Sequence, residues 1–240
     1  MASRPFPWRR VLPLLLLAAG IALVFATGLH RHLSLASLAE HRQGLADLAA
    51  RSPATAAASF ILAYAAAVAL SVPGAVFLTL AGGLLFGVAA GTLYTVAGAT
   101  LGATLLFLAA RTALGDLLRA RAGPWMARLE EGLRRDALSY LLFLRLVPAF
   151  PFWLVNLVPA FLGVRLSTFV AGTFLGIIPG TLVYASVGNG LGAVLDRGGT
   201  PDLGVIFSAS VLLPLLGLAA ISLLPVLAKR FRRTAEAGHG

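Results

Sequence analysis

Cysteine is absent from this chain, which excludes disulfides, thiolate metal sites and a cysteine nucleophile. Acids are scarce too: nine Asp and Glu stand against 19 Lys and Arg in 240 residues. No acid lies between Asp47 and Asp116, and all nine fall in predicted loops, tails or interfacial segments. The histidines, His30, His32, His41 and His239, are equally peripheral. No G-x-S-x-G, H-E-x-x-H or Walker A pattern occurs. A membrane-embedded hydrolase needs a nucleophile with a base, or a liganded metal. Neither is visible, so the chain reads as a non-enzyme with no metal site and no cofactor.

Charge of any sign is thin, at 12%, while 59% of residues are hydrophobic and mean hydropathy is +0.91. Soluble domains lie nearer half apolar and a quarter charged, so an integral membrane protein is expected. Residues 52–110 carry no charged side chain, 59 in a row; 203–228 carry none over 26, and 166–195 none over 30. About 20 apolar residues suffice to span a bilayer. The net charge of +10 does not read as nucleic-acid binding, because the basic residues flank apolar spans and interleave with no exposed aromatics.

The N-terminal run from Val11 to Leu29 resembles a signal peptide, but it is long enough to span and no clean small-x-small site follows. It is read as an uncleaved first helix. Arginine outnumbers lysine 18 to 1, and with heavy Ala, Gly and Leu this hints at a GC-rich bacterial genome. Basic loops stay cytoplasmic. Placing both termini and the six-arginine connection 111–136 inside, with Arg165, collects 14 basic residues inside and 4 outside.

That orientation requires an odd number of crossings within 54–111 and again within 137–188. Each block is too long for one span, and each has a Pro/Gly break, "SVPGA" at 71–75 and "LVPAFP" at 146–151. A re-entrant hairpin followed by one full span satisfies both lengths. Irregular backbone at membrane depth requires a protein or water-filled cover. The blocks also share a motif: "VAGATLG" at 96–102 recurs as "VAGTFLG" at 170–176, 74 residues on. An inverted repeat of two hairpins is therefore expected, with a site near the midplane where broken helices meet.

The expected fold is all-α and integral to a membrane, with both termini cytoplasmic. An N-terminal span (11–29) and an outer interfacial helix occupy 1–53. The core, 54–190, holds hairpin 54–90, span 91–111, amphipathic connector 112–136, hairpin 137–164 and span 166–188. A C-terminal span, 203–228, and a basic cytoplasmic tail, 229–240, complete the chain.

One charge sits inside the core. Starting a helix near Ala137 puts Arg145 about 12 Å into a layer ~30 Å thick, at a cost of roughly 2.5–3.5 kcal/mol. Two readings stay open. The side chain snorkels to the headgroups, or it forms an anion site able to hold a phosphate bidentately. Pro148 and Pro151 free backbone groups that a polar cavity would satisfy. Asn156 either satisfies that broken backbone or meets a headgroup, and Tyr184 can offer a hydroxyl. Pro73, Gly74, Gly82, Gly83 and Gly87 are expected to form the facing hairpin, or else to serve close packing. Pro179 and Gly180 suggest a hinge in the second long span, and Arg111 an interfacial anchor.

"VPGAVFLTLAGGLLFG", "FLAAR" and "LRLVPAFPFWLVN" resemble the motifs of the DedA superfamily, also called VTT-domain or SNARE-associated proteins. The resemblance covers about 54–190 and is nearest to the branch typified by a yeast Golgi vesicle protein. It implies two re-entrant hairpins in inverted repeat. It also implies movement of lipid between leaflets: undecaprenyl phosphate or phosphatidylethanolamine in bacteria, phospholipid scrambling in eukaryotes. Arg145 and Pro148 match the first part of the better-studied bacterial motif. Pro151 or Phe152 stands where that branch has a second arginine, and its embedded acids are missing.

The leading expectation is a lipid translocase or scramblase of a bacterial inner membrane. Its partners would be phospholipid or polyprenyl phosphate, with Arg145 as phosphate site and Gly/Pro tips as gates. A small-solute or anion transporter, a non-transporting scaffold and a homo-oligomeric state are left open.

Overall fold

The computed structural model describes residues 18–22, 24–28, 35–121, 136–147, 150, 152–196, 204 and 208–237, and every regular element among them is helical. In chain order these are α1 (18–22 and 24–26), α2 (Leu35–Arg51), α3 (Pro53–Ala69), α4 (Ala75–Arg121), α5 (136–146), α6 (Phe152–Phe161), α7 (Leu166–Asp196) and α8 (Ala209–Ala237).

Helix α3 starts at Pro53, where a missing N–H costs nothing. It ends in a left-handed cap. The Val72 amide donates back to the Ala67 carbonyl (2.8 Å) and the Ser71 amide to Val68 (3.0 Å). Ser71 takes φ +50° between them. This is the Schellman arrangement, here with serine where glycine is usual. Pro73 and Gly74 (φ +94°) complete the reversal into α4. The tip thus satisfies two of its own backbone groups. A buried Tyr64–Thr79 hydroxyl pair, 2.9 Å apart, clips the two legs together.

Helix α4 is broken at Gly87, whose φ of +76° and ψ of 178° are non-helical. A side chain on Gly91 would run into the Gly82 carbonyl, and one on Gly82 would stand 3.1 Å from Thr95 Oγ1. In an unbroken helix residues 82 and 91 would be ~13.5 Å apart. The chain therefore doubles back at Gly87, making a short return leg, 75–86, and a long section, 88–121. The second block runs in the same order: α5 ending at 146, α6 beginning at 152, a turn at 162–165, and α7. Its second turn uses glycine in the left-handed role, with Gly163 at φ +68° and the Val164 amide on the Pro159 carbonyl (3.1 Å).

The core lies where α3, α5 and α6 meet the long sections of α4 and α7. Phe107 and Phe169, both fully buried, stack with ring centroids 4.3 Å apart. Ala75–Thr112 and Leu166–Leu191 are long and apolar enough to cross a membrane. The section 88–112 alone is ~37 Å long, more than the hydrocarbon thickness. Large apolar side chains, among them Leu62, Leu93, Leu105, Leu175, Leu182 and Ile221, stand on the outside. So much exposed apolar surface suits lipid, not water.

Several boundaries differ from the expected ones. Helix α4 runs on through Arg121 into the expected connector, and α8 runs to Ala237 through most of the expected tail. Helix α7 stays continuous across Pro179. Neighbouring helices can accommodate a proline within a buried bundle. Gly82 and Gly83 are not at the hairpin tip but midway along the return leg, where they admit other helices. Residues 11–17, 23 and 29 of the expected first span and 122–135 of the connector, with Pro148 and Pro151, fall outside the described residues.

Candidate functional site

Helix α5 delivers Arg145 one residue before its end. It can do so because α7 carries glycine opposite. A methyl on Gly176 would stand 2.7 Å from Arg145 Cβ and 3.1 Å from Cγ, and one on Gly172 would meet Leu141 Cβ at 2.9 Å. The aliphatic stem of Arg145 thus lies against bare helix backbone. Its guanidinium carbon sits 5.6 Å from the centroid of Phe169, within cation–π range.

Arg145 Nη2 donates to Asn156 Oδ1 (2.7 Å) and to Thr173 Oγ1 (2.8 Å). Nη2 carries two protons, so these two acceptors commit both and fix the guanidinium plane. Asn156 is fully buried and Thr173 is 1% exposed. The remaining amide nitrogen of Asn156, Nδ2, is buried with no hydrogen-bond partner among the described residues.

A cavity of about 540 Å³ opens beside the guanidinium. One wall is the first hairpin: Tyr64 and Val68 on α3, the tip from Ser71 to Val76, and Thr79 on the return leg. The opposite wall is α7, with Ile177, Gly180, Thr181 and Tyr184. The first hairpin and the arginine of the second block therefore face one another across a shared space. Among the described lining residues Arg145 is the charged one, and the polar remainder is hydroxyl. No Asp or Glu occurs anywhere in 48–115 or 137–195. A fixed cation with hydroxyl neighbours among the described lining residues has the chemistry of an oxyanion receptor. Among the described residues no group of three or more His, Cys, Asp or Glu could hold a metal ion.

Of the residues singled out from sequence, Arg145, Tyr184, Pro73, Gly74 and Gly180 line this cavity. Asn156 stands behind Arg145 and holds it. Gly82 admits Phe60 and Thr95, Gly83 admits the backbone of Ala185 on α7, and Gly87 makes the reversal. Pro179 is interior to α7, beside Gly180. Arg111 does more than anchor: its Nη1 donates to the Val164 carbonyl at 3.5 Å, tying the long section of α4 to the turn before α7.

Sequence reasoning missed Thr173, Tyr64, Thr79 and Thr181. One signal for Thr173 was available, since it lies three residues before Gly176 and so shares the face that meets α5. Tyr64 and Thr79 meet only through the hairpin register, which no local pattern encodes.

A family model for the VTT domain matches residues 72–190. Curated relatives include a transmembrane protein 41 homolog of Caenorhabditis elegans, 33% identical over 127 residues, covering 53% of this chain and 49% of that protein. Another, from Drosophila melanogaster, is 33% identical over 143 residues, covering 57% and 42%. Human transmembrane protein 41B is 29% identical over 123 residues, covering 51% and 40%. The matches thus span under half the length of these relatives. No solved structure matches the chain.

Proposed function

Through residues 72–190 this chain belongs to the VTT-domain family, within the DedA superfamily, and on that premise we propose that it moves phosphate-bearing lipids between the leaflets of a bacterial inner membrane. The observation that carries this reading is Arg145 at a cavity walled by the opposing hairpin tip. A part-buried guanidinium held in plane by Asn156 and Thr173 suits a tetrahedral oxyanion. The outward apolar surface of α4 and α7 suits a lipid whose tails stay in the bilayer while its headgroup crosses.

The reading includes two re-entrant hairpins related as an inverted repeat, and both blocks pack alike in its support. Gly98 and Gly102 of α4 receive Ile61, Tyr64, Ala65 and Val68 of α3. Gly172 and Gly176 of α7 receive Leu138, Leu141, Leu142 and Arg145 of α5. The receiving glycines are offset by 74 residues and the received residues by 77. Basic residues concentrated in 111–136 and the tails favour cytoplasmic termini.

Purified protein in liposomes bearing a fluorescent lipid tests the reading, with dithionite quenching of the label as the measure. Quenching of inner-leaflet label is expected with the natural chain and much less with Arg145→Ala. No lipid movement by well-folded protein would overturn it. Arg145→Lys retaining full activity would deny a role for the planar guanidinium.

A further inference from the structure

We infer that the end of this cavity away from Arg145 is a subsite for the neutral, polyhydroxylated headgroup of a glycosyl lipid. The inference goes beyond the movement of phosphate-bearing lipids and does not depend on it, since occupancy can be measured without transport. The guanidinium reaches toward Thr173, to which Nη2 donates at 2.8 Å. Thr181 and Tyr184 lie eight and eleven residues further along α7, ~12 and ~16 Å away on the helix axis. The cation and these hydroxyls therefore occupy different places along the cavity.

Three lining side chains, Ser71, Thr181 and Tyr184, make no hydrogen bond through their hydroxyls among the described residues. The hydroxyls sealed away without a partner are others, those of Thr92, Thr95 and Thr100 on α4. Thr181 is 8% exposed as a whole residue, so its free oxygen opens onto the cavity it lines. Tyr64 and Thr79, on the first hairpin, hold each other at 2.9 Å and keep lone pairs with which to accept.

Among the described lining residues at this end none is charged. A sugar ring suits such a lining, because its hydroxyls donate and accept in turn while its C–H faces lie against tyrosine rings. Gly180 leaves room for it, with no atom within 4 Å of where a side chain would begin. The cavity volume of about 540 Å³ falls within the usual range for small-molecule sites, ~300–1,000 Å³. Pro73 and Val76 line the cavity and are exposed. That apolar rim suits a headgroup carried on acyl chains better than a sugar free in water.

The absence of cysteine supplies the test. Gly180→Cys places one thiol in the open space of the wall. Its modification by a small maleimide is followed in phosphatidylcholine nanodiscs, with and without monoglucosyldiacylglycerol of the same acyl chains. The glucosyl lipid is expected to slow modification about tenfold, as for a ligand at about ten times its dissociation constant. Thr181→Val with Tyr184→Phe removes two hydroxyls at nearly constant shape and is expected to abolish the protection. The single substitutions serve where the pair fails to fold, and Thr181→Ser is expected to keep the protection.

No protection, protection that survives loss of these hydroxyls, or a thiol that maleimide never reaches would each overturn the inference. Equal protection by methyl glucoside would assign the subsite to free sugars and reject the lipid source. Dithionite quenching on the same protein keeps the two readings apart. Movement of phosphate-bearing lipid without glucosyl protection rejects the subsite alone, and protection without any lipid movement rejects the translocase alone.

Discussion

Gly176 and Arg145 share one space: the absence of a side chain on α7 is what lets the arginine stem lie against the helix, since a methyl there would stand 2.7 Å from Arg145 Cβ. That Cβ is fixed to the α5 backbone and cannot rotate away. Gly176→Ala is therefore expected to push α5 off α7, with an overpacking cost of ~1–3 kcal/mol. It should also shift the guanidinium out of its plane. Lipid transport should fall, and a detergent melting curve should fall with it. A variant with unchanged melting temperature and unchanged transport would contradict the observed closeness.

Thr173 is expected to matter through its hydroxyl and not its shape. Thr173→Val keeps the volume but removes the acceptor 2.8 Å from Arg145 Nη2. Losing a hydrogen bond to a charged group costs ~1.5–3 kcal/mol. Thr173→Ser keeps the oxygen and should retain most transport. Comparing the two by transport rate and melting temperature decides the matter, and equal behaviour would remove Thr173 from the site.

Gly180 separates a plugged cavity from a stiffened hinge. No atom lies within 4 Å of where its side chain would begin, and it lines the cavity. Gly180→Leu is expected to fill that space and slow transport by about tenfold, equivalent to ~1.4 kcal/mol. Helical stability should hold or rise, because glycine costs a helix ~1 kcal/mol relative to alanine. Gly180→Ala should leave transport near normal. If alanine impairs it as much as leucine, flexing at 179–180 is what counts, and the continuous helix is one state of two.

Ser71 caps α3 with φ +50°, a conformation that costs a non-glycine residue ~1–2 kcal/mol. Ser71→Gly is expected to stabilise the tip by up to about 1 kcal/mol. Ser71→Val should destabilise it, since branching at Cβ is least tolerated there. Thermal unfolding of the three proteins gives the order directly; valine at or above serine would argue against the cap.

Much of the fold was legible before any coordinate. Uninterrupted uncharged runs implied helices at membrane depth, and "SVPGA" marked the first reversal within a residue or two. Gly82 and Gly83 were harder. A glycine looks the same in sequence whether it turns the chain or admits a neighbour, and only the contacts with Phe60, Thr95 and Ala185 distinguish the uses. For Pro179, a local helix-breaking tendency did not interrupt α7. Asn156 posed the same ambiguity as the glycines, between satisfying protein and meeting a ligand, and its 2.7 Å bond to Arg145 accounts for its oxygen.

The sequence by itself determined that the chain is helical, apolar on its outside, and charged in its core at Arg145, with no acid in 48–115 or 137–195. Hydropathy, helix breaking and charge counting are local properties, so they can be read one segment at a time. Only the tertiary structure decided what Arg145 meets. Thr173 lies 28 residues away, and the facing wall of Tyr64, Ser71 and Thr79 lies in the other block. Those partnerships depend on the depth and rotation at which helices pack. In segments written mostly in alanine, glycine and leucine, many registers bury similar area. The registers that form are those in which glycines meet backbones and the few polar side chains find each other.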